Sequence, residues 1–377
     1  MLCLNLLLLA FPPGLYVQET EVPAITGVPT SRAAFVGMAQ SHRVPVGEPT
    51  LVTSWAHFTT QFGEYDRVKA PYLAPAVQGF FANGGQRCYV VRAKSMARNQ
   101  DYIGTAGTGL SALAGIDDVS IVCVPGITST AVQRAVLKHC QERGDRFCIL
   151  DSAKGATVNE VIAQRQALAS SKGFGALYHP WIAVSVQGQR EEVFVPPCGH
   201  IAGLYARTDL QTGVHKAPAG TSLTGALRLE ADLSEDACTR LYEEQINPIR
   251  AFPQVGIVVW GARTLSNAPD WRYVNVRRLA IYLEQSILRG TEWAVFEPNE
   301  QTLWQKLRTS VTAFLMGVWR EGGLAGTRPQ EAFFVKCDDT TMTQADIDCG
   351  RLVILVGFAP LKPAEFMLIE IRHITGN

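Results

Sequence analysis

From residue 30 to about residue 260, short apolar runs rich in β-branched residues alternate with stretches of helical periodicity, and this alternation restricts the fold more than any other feature of the chain. Strict alternation places the strands in one mixed or mostly parallel sheet with helices packed on its faces. The apolar runs predict strands over Ala33 to Met38, Arg87 to Ala93, Val119 to Val124, Arg146 to Leu150, Trp181 to Val186 and Gly256 to Trp260. Periodicity and end residues predict helices over Ser54 to Phe62, Tyr72 to Asn83, Thr130 to Arg143, Thr157 to Ser171 and Ser234 to Gln245. After Gly261 the pattern changes. Val276, Leu279, Ala280, Leu283 and Ile287 mark one face of a helix that Gly290 would close at C′. Leu303, Leu307, Val311, Phe314 and Val318 mark a second, with Asn299 placed to cap it. Two further runs, Ala332 to Asp338 and Arg351 to Pro360, read as an antiparallel pair joined by a polar loop.

Charge argues against several functions. The 34 Lys and Arg balance 34 Asp and Glu, so no net field draws the chain to nucleic acid or to an anionic membrane. Charged residues make up 18%, below the roughly 25% of an average soluble domain, which points to a surface partly covered by other protein chains. The opening MLCLNLLLLAF is too short to span a bilayer and lacks the cationic flank and cleavage site of a secretion signal. Nine cysteines include no C-x-x-C pair. Cys88, Cys123 and Cys148 fall inside strand-like runs, where a free thiol acts as a small hydrophobe, so synthesis in the reducing cytoplasm is expected.

Catalytic signatures are absent: the chain has no G-x-S-x-G elbow, no P-loop and no H-E-x-x-H. Cys198, His200 and His215 could supply a nucleophile and base or two metal ligands, which leaves an α/β hydrolase-like enzyme as the alternative reading. None has a matching partner at ligand spacing, and the segment reads as a packed loop. Gly104, Gly107 and Gly109 lack the order of a dinucleotide loop. Asp346, Asp348 and Gly350 hint at a calcium loop, but its twelfth position is Gly357 where a bidentate Glu is needed, so a solvated turn is expected. Asp338 and Asp339 are adjacent and point to opposite faces of an extended segment. No catalytic residue, metal site or cofactor is expected.

The termini combine prolines with short apolar strands. Pro12, Pro13 and Gly14 precede Leu15, Tyr16 and Val17, and Pro23 follows them. At the other end Pro360 and Pro363 precede a strand in which Met367, Ile369 and Ile371 share one face and Phe366, Leu368, Glu370 and Arg372 the other. Proline keeps a tether extended and removes ladder donors, so each strand can pair within its own chain or reach a neighbour. Along the helix that starts near Tyr273, Arg272, Arg277, Arg278 and Arg289 outnumber the single acid Glu284, giving a basic face.

The segments PGLYVQE (Pro13 to Glu19), TSRAAFVG (Thr30 to Gly37), EPTLVTSWAHFTTQFG (Glu48 to Gly63) and YLAPAVQGFFANGGQRCYVVRA (Tyr72 to Ala93) resemble the tail sheath family of contractile phages and contractile injection systems. So do LYHPWIAV, VPPCGHIAGLYARTD, GIVVWGARTLSNAPDWRYVNVRRL (Gly256 to Leu279), WAVFEPNEQTLW (Trp293 to Trp304), AFFVKCD and PAEFMLIEIR, in an order spanning nearly the whole chain. The apolar first eleven residues and QINPIR at Gln245 to Arg250, where relatives carry a longer turn, depart from the family pattern. The resemblance implies an α/β fold, α+β overall, with an N-terminal arm at 1–24, an outer α/β domain at 25–260, an inner C-terminal α/β domain at 261–360 and a C-terminal arm at 361–377. It implies a structural subunit, not an enzyme, whose copies stack as six-fold rings around an inner tube protein and contract to drive that tube through a target envelope. Its partners would be copies of itself, the tube, and baseplate and cap or terminator proteins, with no nucleic acid, membrane insertion, metal or cofactor. It assigns strand exchange between subunits to Leu15, Tyr16, Val17, Phe366, Met367, Leu368, Ile369 and Ile371, and tube contact to Arg277 and Arg278. A phage virion and a headless injection particle remain equally open.

Overall fold

In a computed structural model of the chain, residues 23–105, 107–168, 170–186 and 189–365 are described. Strands β1 (Ala33–Gly37), β2 (Pro49–Val52), β3 (Cys88–Arg92), β4 (Ile121–Cys123), β5 (Phe147–Asp151), β6 (Gly175–His179), β7 (Ile182–Val184), β8 (Val193–Val195), β9 (Thr221–Ser222), β10 (Ala226–Leu229), β11 (Ile246–Phe252) and β12 (Gly256–Val259) precede a hairpin of β13 (Phe333–Lys336) and β14 (Leu355–Phe358). Nine of them form one sheet of order β2-β3-β1-β4-β5-β6-β11-β12-β9. The run from β3 to β11 is parallel, and β2, β12 and β9 add antiparallel edges. β1, β4, β5 and β6 are buried at every residue, as parallel strands covered on both faces must be, which is why they read as continuous apolar runs.

Helices α1 (Trp55–Phe62), α2 (Leu73–Ala82), α3 (Asn99–Ile103), α4 (Thr130–Arg143), α5 (Val158–Gln166), α6 (Cys198–Gln211) and α7 (Glu235–Glu243) accompany this sheet. Ser54, Ser129, Thr157 and Ser234 cap four of them through side-chain oxygens that accept from backbone N–H groups three positions on. Two long helices follow, α8 (Val274–Gly290) and α9 (Gln301–Arg320). Their stripes at Leu279, Leu283, Val311, Leu315 and Val318 make a second apolar cluster with Leu324 and Phe333 of the hairpin side, while Val274 and Ile281 of α8 face the main core.

The α/β class stands, and several local expectations are corrected. The supposed packed loop at Cys198 is α6, buried at every residue from Cys198 to Ala206. A helix enclosed between α2 and the sheet has no polar face to reveal its period. Its glycines permit close contact: a Cβ on Gly199 would lie 2.2 Å from the Ala76 carbonyl oxygen, and one on Gly203 2.4 Å from that of Phe80. In the QINPIR segment Gln245 is a turn residue and Ile246 to Arg250 are strand, part of β11, although proline usually disqualifies an inner strand. Pro248 sits at the last pair of the β6–β11 ladder, opposite His179, where a missing donor interrupts least, and its carbonyl still accepts from the Trp260 N–H at 2.8 Å. β6 was not anticipated, and β7 leaves the main sheet for a smaller one of order β10-β7-β8. The fifth helix ends at Gln166, short of Ser171. Asn299 does not cap α9: Glu300 holds that position, and the Asn299 side chain accepts from the Trp304 indole N–H at 2.7 Å. Gly290 is the last residue of α8 and not a left-handed C′ glycine. It is small because Ile25 presses on it, with a Cβ there only 2.7 Å from the isoleucine side chain.

Candidate functional site

The three residues of the enzyme alternative do not assemble into a reactive centre. Cys198 and His200 are buried in the first turn of α6, and His215 lies half-buried in the loop that follows the helix. The Cys198 backbone N–H donates to Asp151 Oδ1 at 2.9 Å, so a carboxylate at the end of β5 caps α6 from a distant part of the chain. Burial pushes the Cys198 thiol well up and holds it as a thiol, and burial lowers His200 to about 4, leaving its Nδ1 with no partner. Neither group is poised for nucleophilic attack.

These buried groups make stability depend on pH. His179 and His200 are 2% and 4% exposed, and desolvation lowers each to about 4. Their contribution is complete above the unfolded value of about 6.5 and drains as pH falls toward 4. Burial raises Asp151 to about 6, so its contribution runs the other way, complete below about pH 4 and lost as pH rises through 6. Between pH 7 and pH 5 these two histidines are expected to cost about 2 kcal/mol each and Asp151 to return about 1, a net loss of about 3 kcal/mol from the three groups, in the same direction as that of His139, which burial and Arg146 lower to about 4. Urea unfolding of the unassembled chain at both pH values checks this. His200→Gln should remove about 2 kcal/mol of the pH difference, and an unchanged difference would contradict the assignment.

The more informative site is where the arms join the body. The residues expected to exchange strands, Leu15, Tyr16, Val17, Phe366, Met367, Leu368, Ile369 and Ile371, lie outside the described residues, but the chain on the body side of each is fixed. At the N-terminal root Ser310 of α9 donates to the Pro23 carbonyl at 2.6 Å, and the Val28 N–H donates to Ser286 of α8 at 3.0 Å. The Thr30 carbonyl accepts from Ser120 at 2.5 Å and from Arg278 at 2.8 Å, and Arg32 pairs with Asp118. At the C-terminal root Asn275 donates to the Leu361 carbonyl at 2.9 Å. Four residues later the Glu365 carboxylate meets Arg263 and Tyr242.

Beside these roots stands an incomplete sheet. Among the described residues β13 and β14 pair only with each other, with Phe334 and Leu355 about half exposed. Two strands alone are marginal in water, and their open edges can each accept a further strand.

The expected basic face at Arg277 and Arg278 is corrected, because both side chains are buried. Arg278 forms a buried ion pair with Asp209 of α6 at 2.6 Å and lies 4.8 Å from the Tyr205 ring. The Arg277 guanidinium is stacked between Phe174 and Trp271, 4.1 and 4.4 Å from their ring centres, with Glu284 3.9 Å away. A count of charges along the helix missed this because the aromatic and acidic partners come from residues 174, 209 and 271. The Arg263–Glu365 pair was missed for the same reason, being separated by about a hundred positions.

The sequence matches the phage tail sheath protein central domain over residues 96–265 and the phage tail sheath C-terminal domain over residues 266–374. The tail sheath protein of Enterobacteria phage T4 is 29% identical over 181 residues, which are 47% of this chain and 27% of that protein, so the match spans about a quarter of the phage relative. A chain of the PVC sheath complex, from an extracellular contractile injection system in its contracted state, superposes with a TM-score of 0.80 at 30% identity, covering 96% of this chain and 98% of that one. A chain of the six-fold symmetrised anti-feeding prophage baseplate gives 0.80 and 30%, covering 97% and 100%. With successive domain matches over most of its length and a full-length structural counterpart, the chain belongs to the phage tail sheath family.

Proposed function

We propose that this chain is the sheath subunit of a contractile tail or tail-like injection particle, stacking as six-fold rings around an inner tube and contracting to drive the tube through a target envelope. The observation that carries the reading is the full-length similarity, at 30% identity, to a chain of a contracted sheath. That likeness is 30% identical over nearly all of both chains, whereas the tail sheath protein of Escherichia phage P2, matched over 94% of both chains, is 23% identical, and this favours an injection particle over a phage virion as the setting. Copies of the chain, the tube protein, and baseplate and cap or terminator proteins are its partners in this reading, and mechanical work needs no catalytic residue.

The arms at 1–24 and 361–377 donate strands, with Leu15 to Val17 and Phe366 to Ile371 filling the open edges of a neighbour's β13–β14 hairpin. The body divides into an outer unit at 25–260 and an inner one at 261–360. Tubes seen by negative-stain microscopy of the purified chain would test assembly directly. Ile369→Lys is the sharper test, since a lysine on the buried face of a donated strand has no partner. It should stop tube growth while the unassembled chain unfolds within about 0.5 kcal/mol of the parent. Normal tubes would reject donation, and a lowered melting temperature would place the strand within its own chain.

A further inference from the structure

The C-terminal tether does not leave the body where its last strand ends. β14 stops at Phe358, yet the following residues stay bound: Pro360 bridges to Leu324, Leu361 accepts from Asn275, and Glu365 turns into a pocket of donors formed by Arg263 and Tyr242. Arg263 donates through Nε to Oε1 at 2.9 Å and through Nη2 to Oε2 at 2.5 Å, and the Tyr242 hydroxyl donates to Oε1 at 2.6 Å. This is the two-pronged geometry in which an arginine fixes a carboxylate's orientation as well as its position. The pair is nearly dry, with side-chain exposures of 11% and 8%.

The receiver is itself held rigidly. The third arginine nitrogen donates to the Tyr242 carbonyl at 2.8 Å, and the guanidinium lies 3.9 Å from the Tyr242 ring centre. Its backbone is gripped at both ends by Asn247 of β11, which accepts from the Arg263 N–H at 2.7 Å and donates to the Arg263 carbonyl at 2.8 Å. Burial alone would raise the Glu365 carboxyl, but hydrogen bonds from Arg263 and Tyr242 hold it below the usual range. An acid buried at this point of the tether is costly unless a partner is guaranteed, and here three donors guarantee it.

We propose that Arg263 and Tyr242 are positioning residues that clamp Glu365, fixing where and in what direction the C-terminal arm departs and diverting a neighbour's pull from the two-stranded hairpin to the main sheet. The proposal rests on the strand-donation reading. Without the clamp, tension on the arm would run back along Leu361 to Pro360 and peel β14 from β13, whose ladder holds only four residue pairs. With it, the pull ends on α7 and on the segment tied to β11. Pro363 removes an N–H donor and keeps the span to the clamp extended.

The test uses the full chain with Glu365→Gln, which keeps the shape and removes the charge, and Arg263→Met. Because the released tether can swing into water and so strands no buried carboxylate, amide exchange in the peptide covering 359–365 of the unassembled chain should rise about tenfold, with main-sheet peptides unchanged and melting within about 2 °C of the parent. Under assembly conditions, tubes should lose regular helical order in electron micrographs. If Arg263→Met does not fold, Glu365→Gln alone decides. Unchanged exchange, or faster exchange with tubes of normal order, overturns the clamp. Deletion of residues 366–377 separates the two ideas: if that truncation polymerises normally, strand donation has failed, and if it does not while Glu365→Gln polymerises normally, only the clamp has failed.

Discussion

Removal of residues 366–377 is expected to yield a folded chain that no longer polymerises. The cut leaves Glu365 in place, so the arm root and the ion pair with Arg263 survive, and the body loses none of its described contacts. What is lost is the segment whose expected strand face of Met367, Ile369 and Ile371 alternates with Phe366 and Leu368. Burying the three residues of the first face at about 1.5 to 3 kcal/mol each amounts to roughly 5 to 9 kcal/mol per arm as an upper bound. Since 1.4 kcal/mol is a factor of ten in affinity, a loss of this size lowers association at each junction by several orders of magnitude, and in the proposed assembly every subunit makes such a junction. Sedimentation and negative-stain microscopy of the truncated chain measure the outcome. Tubes of parental length would show that the arm is not the link.

The largest effect on the isolated chain is expected from Arg278→Met. Arg278 and Asp209 have side-chain exposures of 4% and 2%, and Arg278 also donates to the Thr30 carbonyl. Removing one member of a buried pair leaves the other charged and desolvated, a loss of about 3 to 5 kcal/mol. The same reasoning makes Arg278→Met with Asp209→Leu milder than the single change, because no buried charge is stranded. Urea midpoints of the three chains give the comparison. A double variant no more stable than the single one would mean that packing against Tyr205, and not charge, sets the cost.

The parallel core was legible because buried parallel strands are apolar at consecutive positions, and β1, β3, β4 and β5 announced themselves in that way. The capped helices were legible because Ser54, Ser129, Thr157 and Ser234 each satisfy their own helix locally. What stayed hidden depended on distant partners. α6 is capped by Asp151, 47 positions away, and its surroundings erase its amphipathic period. β11 carries a proline that its neighbours accommodate. Arg277 and Arg278 looked like a solvated face because periodicity along one helix cannot report aromatic rings and carboxylates brought from elsewhere. At the arm roots, Pro23, Pro360 and Pro363 pointed to stretches without helix, which is what residues 23–32 and 359–365 show, but nothing near Glu365 in sequence pointed to Arg263. The stripes of α8 and α9 were visible, whereas the reason for Gly290 lay in Ile25, on a segment more than two hundred and sixty positions earlier.

The open hairpin has a consequence for how long a particle can become. If each added ring supplies strands to the ring it joins and presents unfilled β13–β14 edges of its own, the growing end is never used up. Such a stack behaves like a living polymer, whose length is not written in the monomer and whose tip stays adhesive after any number of additions. A defined length then demands an outside ruler, and a quiet tip demands a chain-stopper: a protein that contributes matching strands or covers the vacant edges without exposing new ones.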